Sequence, residues 1–340
     1  MRSCMAGSPT NVPPASGIRV PPEELRTLVA ALFEQAGTSR TDAELIAHLL
    51  VLTDLRGVFS HGTQQTRGYV RMMLEGRVNP RPVLRPISQT DTTQVLDGDG
   101  GMGHFPSYHG TQWAIAQAKE HGLAALTTRN HFHFGAASKY SRMALDHDLI
   151  GLAISSHRYL PDPNAPVLFA GGGSPMSIAI PAGTQPPLVL DMGAYFLPYT
   201  EELFQQFPAT FFKGLGLAAL FQALGGILAG IYKPEVQAPL SKWESNQGAF
   251  IVLFDVKRFM PVDEFKKEMD RYIGDARRMK PLPGYERAEL PGGLEQQRQQ
   301  EYTREGIPIN VEHQQSLEEI AAQMGVATPF ARYAHTHFGA

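Results

Sequence analysis

The sequence predicts an α/β protein with helices gathered at its two ends, and three observations carry that prediction. Apolar residues recur at helical spacing through the first stretch after residue 20, β-branched runs divided by Gly/Pro turns begin near residue 92, and another helical pattern closes the chain. With 340 residues, 43% of them hydrophobic and 19% charged, the chain can bury a large core divided between two lobes.

Residues 1–18 read as a disordered Pro/Ser/Gly-rich arm without the apolar segment of a secretory signal, and they carry the single cysteine, Cys4. One cysteine allows no internal disulfide, so a reducing compartment and a cytoplasmic location are expected. After Pro21 and Pro22, Leu25, Val29, Leu32 and Phe33 mark one amphipathic helix that stops before Gly37. Thr41 and Glu44 form a capping-box pattern for a second, whose face of Leu45, Ile46, Leu49 and Leu52 runs to Leu55. Helical character resumes from Thr63 to about Leu74, leaving RGVFSHG as the turn between helices.

Strands are expected in TTQVL, LAALTT, IGLAIS, MSIAI, PLVLD and AFIVLFDV, with helices in TQWAIAQAKEHG and VDEFKKEMDRYIGDARRM. The apolar run Gly214–Gly230 contains Gln222 and five glycines, which argues for a buried, closely packed helix rather than a membrane span. A last helix is expected to open after LPGGLEQQRQQ at a Ser316/Glu319 capping box. The resulting division is a helical lobe of residues 19–90 with 295–340, carrying the histidine turn, and an α/β domain of residues 91–294.

A net charge of -3 gives no electrostatic reason to expect nucleic acid or an anionic membrane as partner. GDGGMG matches a dinucleotide fingerprint through Gly98, Gly100 and Gly103. The polar QTDTTQV before it does not suit a strand buried on both faces, and Phe105-Pro106 should delay the helix, so a plain glycine turn is preferred. His131 and His133 alternate as two ligands on one strand face would, yet no third ligand stands at a set spacing, so no metal is expected. His335 and His337 fall in what reads as a mobile tail.

His61 sits in its turn beside Ser60 and Gly62, five residues after Arg56. A hydrogen-bonded structural histidine is the ordinary reading. The alternative is chemical: imidazole titrates near neutrality and a guanidinium pairs with carboxylates, the two groups that hydride transfer at a 2-hydroxy acid requires.

The string DLRGVFSHGTQQTRGYVRMMLEGRVNP resembles the N-terminal signature of the malate/L-lactate dehydrogenase family. VLDGDGGMGH, TTRNHFHFGAASKYSRMALDHDLIGL, GGGSPMSIAIPAGTQPPLVLDMG, FFKGLGLAALFQALGGILAG and ELPGG with REGIPI follow in the family's order, over roughly residues 20 to 330. The resemblance implies a non-Rossmann NAD(P)-binding fold with a mostly antiparallel or mixed sheet. It also implies a homodimer with active sites near the subunit interface and a small 2-hydroxy or 2-oxo carboxylate as substrate. His61 falls at the position of an acid/base, with Arg56, Ser60 and His133 near the substrate. NAD or NADP would meet Pro187, Leu188, Val189, Leu190, Asp191, Met192, Gly193, Phe212, Lys213, Gly292 and Gly293. Lys213, read as the start of the Gly-rich helix, would add unpaired amides to its own charge. An imine reductase or a catalytically impaired ligand-binding relative would share much of this pattern.

Three departures stand out. Gln65 replaces an arginine usual in the family, with Arg67 nearby. A GTNP turn reads GGSP, so Gly173 and Ser174 replace threonine and asparagine. Between Asp191 and Lys213 the chain is short and aromatic, carrying Tyr195, Phe196, Tyr199, Phe204, Phe207, Phe211 and Phe212 in place of a longer basic segment. That composition predicts an apolar wall and a bulkier or less charged substrate than malate.

Overall fold

The computed structural model describes residues 11–243 and 245–339. Cys4 and most of the predicted arm lie outside them. In chain order the first elements are β1 (Ile18–Val20), α1 (Pro22–Gln35), α2 (Arg40–Leu55) and α3 (Thr66–Leu74). There follow β2 (Arg85–Gln89), β3 (Thr93–Asp97), α4 (His104–His121), β4 (Leu123–His131), α5 (Ser138–Ser141) and β5 (Leu149–His157). Next come β6 (Pro175–Ile180), β7 (Leu188–Gly193), α6 (Glu201–Gln206), α7 (Pro208–Phe221), β8 (Gln247–Asp255) and α8 (Val262–Arg277). The chain ends with α9 (Gly293–Glu305), β9 (Ile307–Ile309) and α10 (Val311–Met324).

Two compact units divide these elements. The helical unit takes residues 11–82 and 293–339, and the α/β unit takes residues 83–292. In the helical unit, α1 buries Leu25, Val29, Leu32 and Phe33 as their spacing predicts, while on α2 Ile46 and Leu49 are buried as expected, Leu45 and Leu52 are half-buried, and Leu50 joins the core instead. β1 pairs antiparallel with β9, and Gly17 bridges to Phe338. Ile18 therefore belongs to a strand rather than to an arm, and the C-terminal stretch with His335 is a 3-10 turn, Phe330–Thr336, tied to β1 through the Thr336 hydroxyl. Short strand pairings of this kind carry no periodic signal.

Both predicted capping boxes are displaced. Ser39, not Thr41, caps α2 by accepting from the Asp42 amide, and Asn310, not Ser316, caps α10 by accepting from the His313 amide. LEQQRQQ is itself helical, as α9; it buries little beyond Gly293 and Tyr302, so it shows almost no apolar stripe.

The α/β unit holds a seven-stranded sheet in the order β2-β3-β4-β8-β5-β6-β7, in which only β3 and β4 are parallel. The six runs expected to be strands became β3 to β8, and the polar edge strand β2, exposed along its whole length, escaped notice. Alternation puts Leu126, Ala153, Ile251 and Leu253 against α4, and Ile154 and Phe250 towards α7.

α4 starts at His104, directly after Gly103, because Pro106 lies in the first turn where its missing N–H costs nothing; the proline does not delay the helix. The glycines of GDGGMG nevertheless meet protein. A Cβ on Gly103 would lie 2.5 Å from His131 Nδ1, and one on Gly100 would lie 2.1 Å from the Trp243 ring. The turn is a packing device.

The apolar run after Lys213 is only half a core helix. α7 continues as a π segment, Gln222–Leu228, and Pro208–Leu228 is long and apolar enough by length and composition to cross a membrane. Its small residues meet neighbouring elements of the same unit closely, Ala218 against Gly171 and Gly225 against Ser155 and Ser156, while Leu220, Ile227 and Leu228 stay exposed. The expected close packing is found on one face, and the other is exposed.

Candidate active site

The RGVFSHG turn is assembled from two 3-10 turns, Phe59–His61 and Thr63–Gln65, between α2 and α3. Asp54, wholly buried on the last turn of α2, accepts from the Thr63 amide at 3.0 Å and from the Thr63 hydroxyl at 2.6 Å. Gly62 is dictated by that carboxylate, since a Cβ there would lie 1.7 Å from Asp54 Oδ1. The Thr63 hydroxyl also lies 3.1 Å from Nε2 of buried His313, whose pKa burial pushes down to about 4.

On this base stand Ser60 and His61, both half-buried, with Ser60 Oγ 2.8 Å from His61 Nδ1. Gln65 Nε2 donates to the Ser60 carbonyl at 2.7 Å. The residue that departs from the family pattern is thus built into the turn. Arg56, the C-cap of α2, donates through Nε to Gln299 Oε1 of α9 at 3.2 Å. Arg67 does not replace the missing arginine, because it pairs with Glu319 at 2.6 Å.

A second group of polar residues belongs to the α/β unit. His133 is half-buried in the loop after β4, its carbonyl accepting from the Gly103 amide. His131 ends β4 and is fully buried, its Nε2 2.8 Å from the Thr128 hydroxyl and its Nδ1 2.7 Å from the Phe132 carbonyl. Burial lowers its pKa to about 4, and no group of three or more metal-ligating side chains occurs among the described residues. The two histidines do not share a strand face, because the strand ends between them after Asn130 takes a positive φ of 54°.

Asp191 lies in edge strand β7 and accepts from the Ser138 amide at 3.0 Å. Its side chain reaches solvent, yet the protein crowding around the carboxyl raises its pKa, against the pull of Ser138, Arg142 and Lys139. Pro187 to Gly193 form and flank this edge. Gly292, at φ 99°, packs beneath its start, where a Cβ would meet the Pro187 carbonyl at 2.5 Å, while Gly293 opens α9. At the other end, Gly214 of α7 approaches the Ala194 carbonyl, bringing exposed Phe212 and Lys213 towards the end of β7. Lys213 is the sixth residue of α7, since the helix begins at Pro208, so the unpaired amides of a helix N-terminus are not beside it.

Sequence reasoning missed three participants. Asp54 heads the DLRGVFSHG string with no role assigned to it. Lys139, 3% exposed, lies 3.4 Å from Nε2 of fully buried His104, and Gly135 at φ 82° leaves the space that the pair fills. A buried lysine four residues past an HFG string was the available signal. The aromatic segment is also less open than its composition suggests. Tyr195, Tyr199, Phe204, Phe211 and Phe212 pack in edge-to-face or tilted pairs with one another and with Phe169, with Phe211 buried at the centre while Phe196, Phe207 and Phe212 stay exposed.

The description of the malate/L-lactate dehydrogenase family matches the chain over residues 20–199 and 200–318, the break falling inside that aromatic segment. Malate dehydrogenase from Pyrococcus horikoshii is 29% identical over 347 residues, covering 91% of this chain and 96% of its own. L-sulfolactate dehydrogenase from Methanocaldococcus jannaschii is 26% identical over 336 residues, covering 90% and 97%. The solved structure of the Pyrococcus horikoshii malate dehydrogenase superposes with a TM-score of 0.79 at 27% identity, covering 96% of this chain and all of that one.

Proposed function

Because the chain belongs to the malate/L-lactate dehydrogenase family, we propose that it is an oxidoreductase moving a hydride between NAD or NADP and a small 2-hydroxy/2-oxo carboxylate, with His61 as acid/base. The observation that carries the reading is the Ser60–His61 hydrogen bond on a turn pinned from below by Asp54. With Nδ1–H donated to Ser60 Oγ, the Nε2 edge holds the lone pair that takes the substrate hydroxyl proton during oxidation. In reduction the same edge returns it. Arg56 supplies a guanidinium for the substrate carboxylate. Malate and sulfolactate, named for two relatives, are acids of this class.

The donor set along β7 suits a dinucleotide. Asp191 offers a carboxylate that reaches solvent for ribose hydroxyls, Lys213 an exposed ammonium for a phosphate, and Gly193 a stretch where a Cβ would meet nothing within 4 Å. When bound there, the nicotinamide supplies the hydride chemistry. We place the enzyme in the cytosol as a homodimer, following the family.

The test is turnover of His61→Asn with NADH or NADPH and a panel of 2-oxo acids. The reading predicts loss of about two to four orders of magnitude in kcat with nicotinamide fluorescence still quenched on binding. In the parent, oxidation should rise and reduction fall as pH increases through the apparent pKa of the site. A His61→Asn variant that turns over normally refutes the assignment.

A further inference from the structure

The family match begins at residue 20, yet Asn11, Val12 and Pro14 line a cavity with Phe59 and Ser60 of the histidine turn within the helical unit. Asn11 Oδ1 accepts from the Ser60 amide at 3.1 Å. Its own carbonyl takes Arg298 Nη1 of α9 at 3.4 Å, and its backbone holds φ 69°, a conformation that asparagine tolerates better than other residues with a side chain. Arg298 is in turn seated over Gly57, where φ is 73° and a Cβ would lie 2.6 Å from Arg298 Cδ. A cavity of about 220 Å³ opens beside this contact, between Asn11, Phe59, Ser60, Gln64, Asn310 and His313.

Both peptide groups of Ser60 are therefore held by side chains. Asn11 takes the N–H, Gln65 supplies a donor to the carbonyl, and the Ser60 hydroxyl meets His61 Nδ1. We infer that Asn11, from the segment preceding the family match, is a positioning residue for the acid/base: by fixing the Ser60 backbone it holds Ser60 Oγ against Nδ1 and keeps the His61 ring in one hydrogen-bonded orientation. The inference rests on the reading of His61 given above. Asn11 reaches the reaction only through Ser60, so its loss should act on the proton-transfer step and leave acid binding alone.

The experiment compares Asn11→Ala and Asn11→Asp with the parent full-length enzyme, with His61→Asn run alongside. A hydrogen bond of this kind contributes about 1 kcal/mol, so Asn11→Ala should lower kcat about three- to tenfold with KM for the 2-oxo acid within about twofold of the parent. Asn11→Asp keeps an acceptor for the Ser60 amide and should restore most of kcat. The ¹⁵N resonances of the His61 ring, assigned by their absence in His61→Asn, should show one dominant tautomer in the parent and a mixture in Asn11→Ala. Unchanged kcat and ring resonances in Asn11→Ala, with His61→Asn inactive, overturn the positioning role alone. Higher kcat in Asn11→Ala overturns it too, because the segment would then obstruct the turn. Normal turnover by His61→Asn removes the function reading, and this inference with it.

Discussion

The carboxylate of Asp54 holds Thr63 by two hydrogen bonds, one to the backbone amide at 3.0 Å and one to the hydroxyl at 2.6 Å, nine residues along the chain. This buried bridge fixes the exit of the His61 turn relative to the helix that precedes it, and it forces glycine at position 62.

Asp54→Asn replaces one acceptor oxygen by an NH₂ group and removes the charge that strengthens both bonds. The variant should unfold with a stability loss of about 1–3 kcal/mol and lose most of its turnover. Denaturant midpoints and kcat check this together; an unchanged midpoint would mean the bridge contributes nothing net. Gly62→Ala should be worse, because its Cβ displaces the carboxylate instead of weakening it.

Gln65 gives a prediction about specificity. Its donor to the Ser60 carbonyl closes the turn, and on the proposed reading a neutral side chain stands there where a cation would serve a second substrate carboxylate. Gln65→Arg retains a donor for Ser60 and adds that charge. The ratio of kcat/KM for dicarboxylic over monocarboxylic 2-oxo acids should rise about tenfold or more, from the strength of charged hydrogen bonds. If the ratio stays constant, position 65 does not face the substrate.

Wherever one local periodicity decided the structure, the sequence was legible. The buried faces of α1 and α2 and the runs that became β3 to β8 follow from side-chain spacing alone. What could not be read depended on distant partners. β1 exists because β9 comes back from the far end of the chain to pair Ile309 with Ile18. The caps fell on Ser39 and Asn310 because backbone geometry, not a four-residue pattern, selects them. In the candidate site, His61 and Ser60 were visible through residue chemistry, and Asp191 only through resemblance. The Asp54 bridge, the Lys139–His104 pair and Asn11 needed three-dimensional proximity.

Asp191 tests the cofactor edge. Asp191→Asn can still accept from the Ser138 amide, so the fold should be retained and Tm should move little. If Asp191 meets a ribose as proposed, the variant loses that carboxylate and NADH or NADPH affinity should fall about tenfold, as expected for a charged hydrogen bond. Fluorescence titration reads this directly. Equal affinity in both proteins would move the dinucleotide away from β7.

Acid should weaken the fold through two histidines, one in each unit. His131 and His313 are buried, and burial is the main cause that lowers each pKa to about 4. In the unfolded chain both rings protonate near pH ~6.5. Between those values the unfolded state binds more protons than the folded one, so stability falls as pH drops from about 6.5 towards 4, and these two groups contribute no slope above that window. Each accounts for roughly 3 kcal/mol across the whole window. Urea unfolding at pH 7.5, 6 and 5 should show a plateau followed by a decline. His313→Gln, whose amide NH₂ can still donate to the Thr63 hydroxyl oxygen, should lower stability at pH 7.5 by less than it flattens the decline. A decline of unchanged slope in that variant would assign the acid sensitivity to other groups.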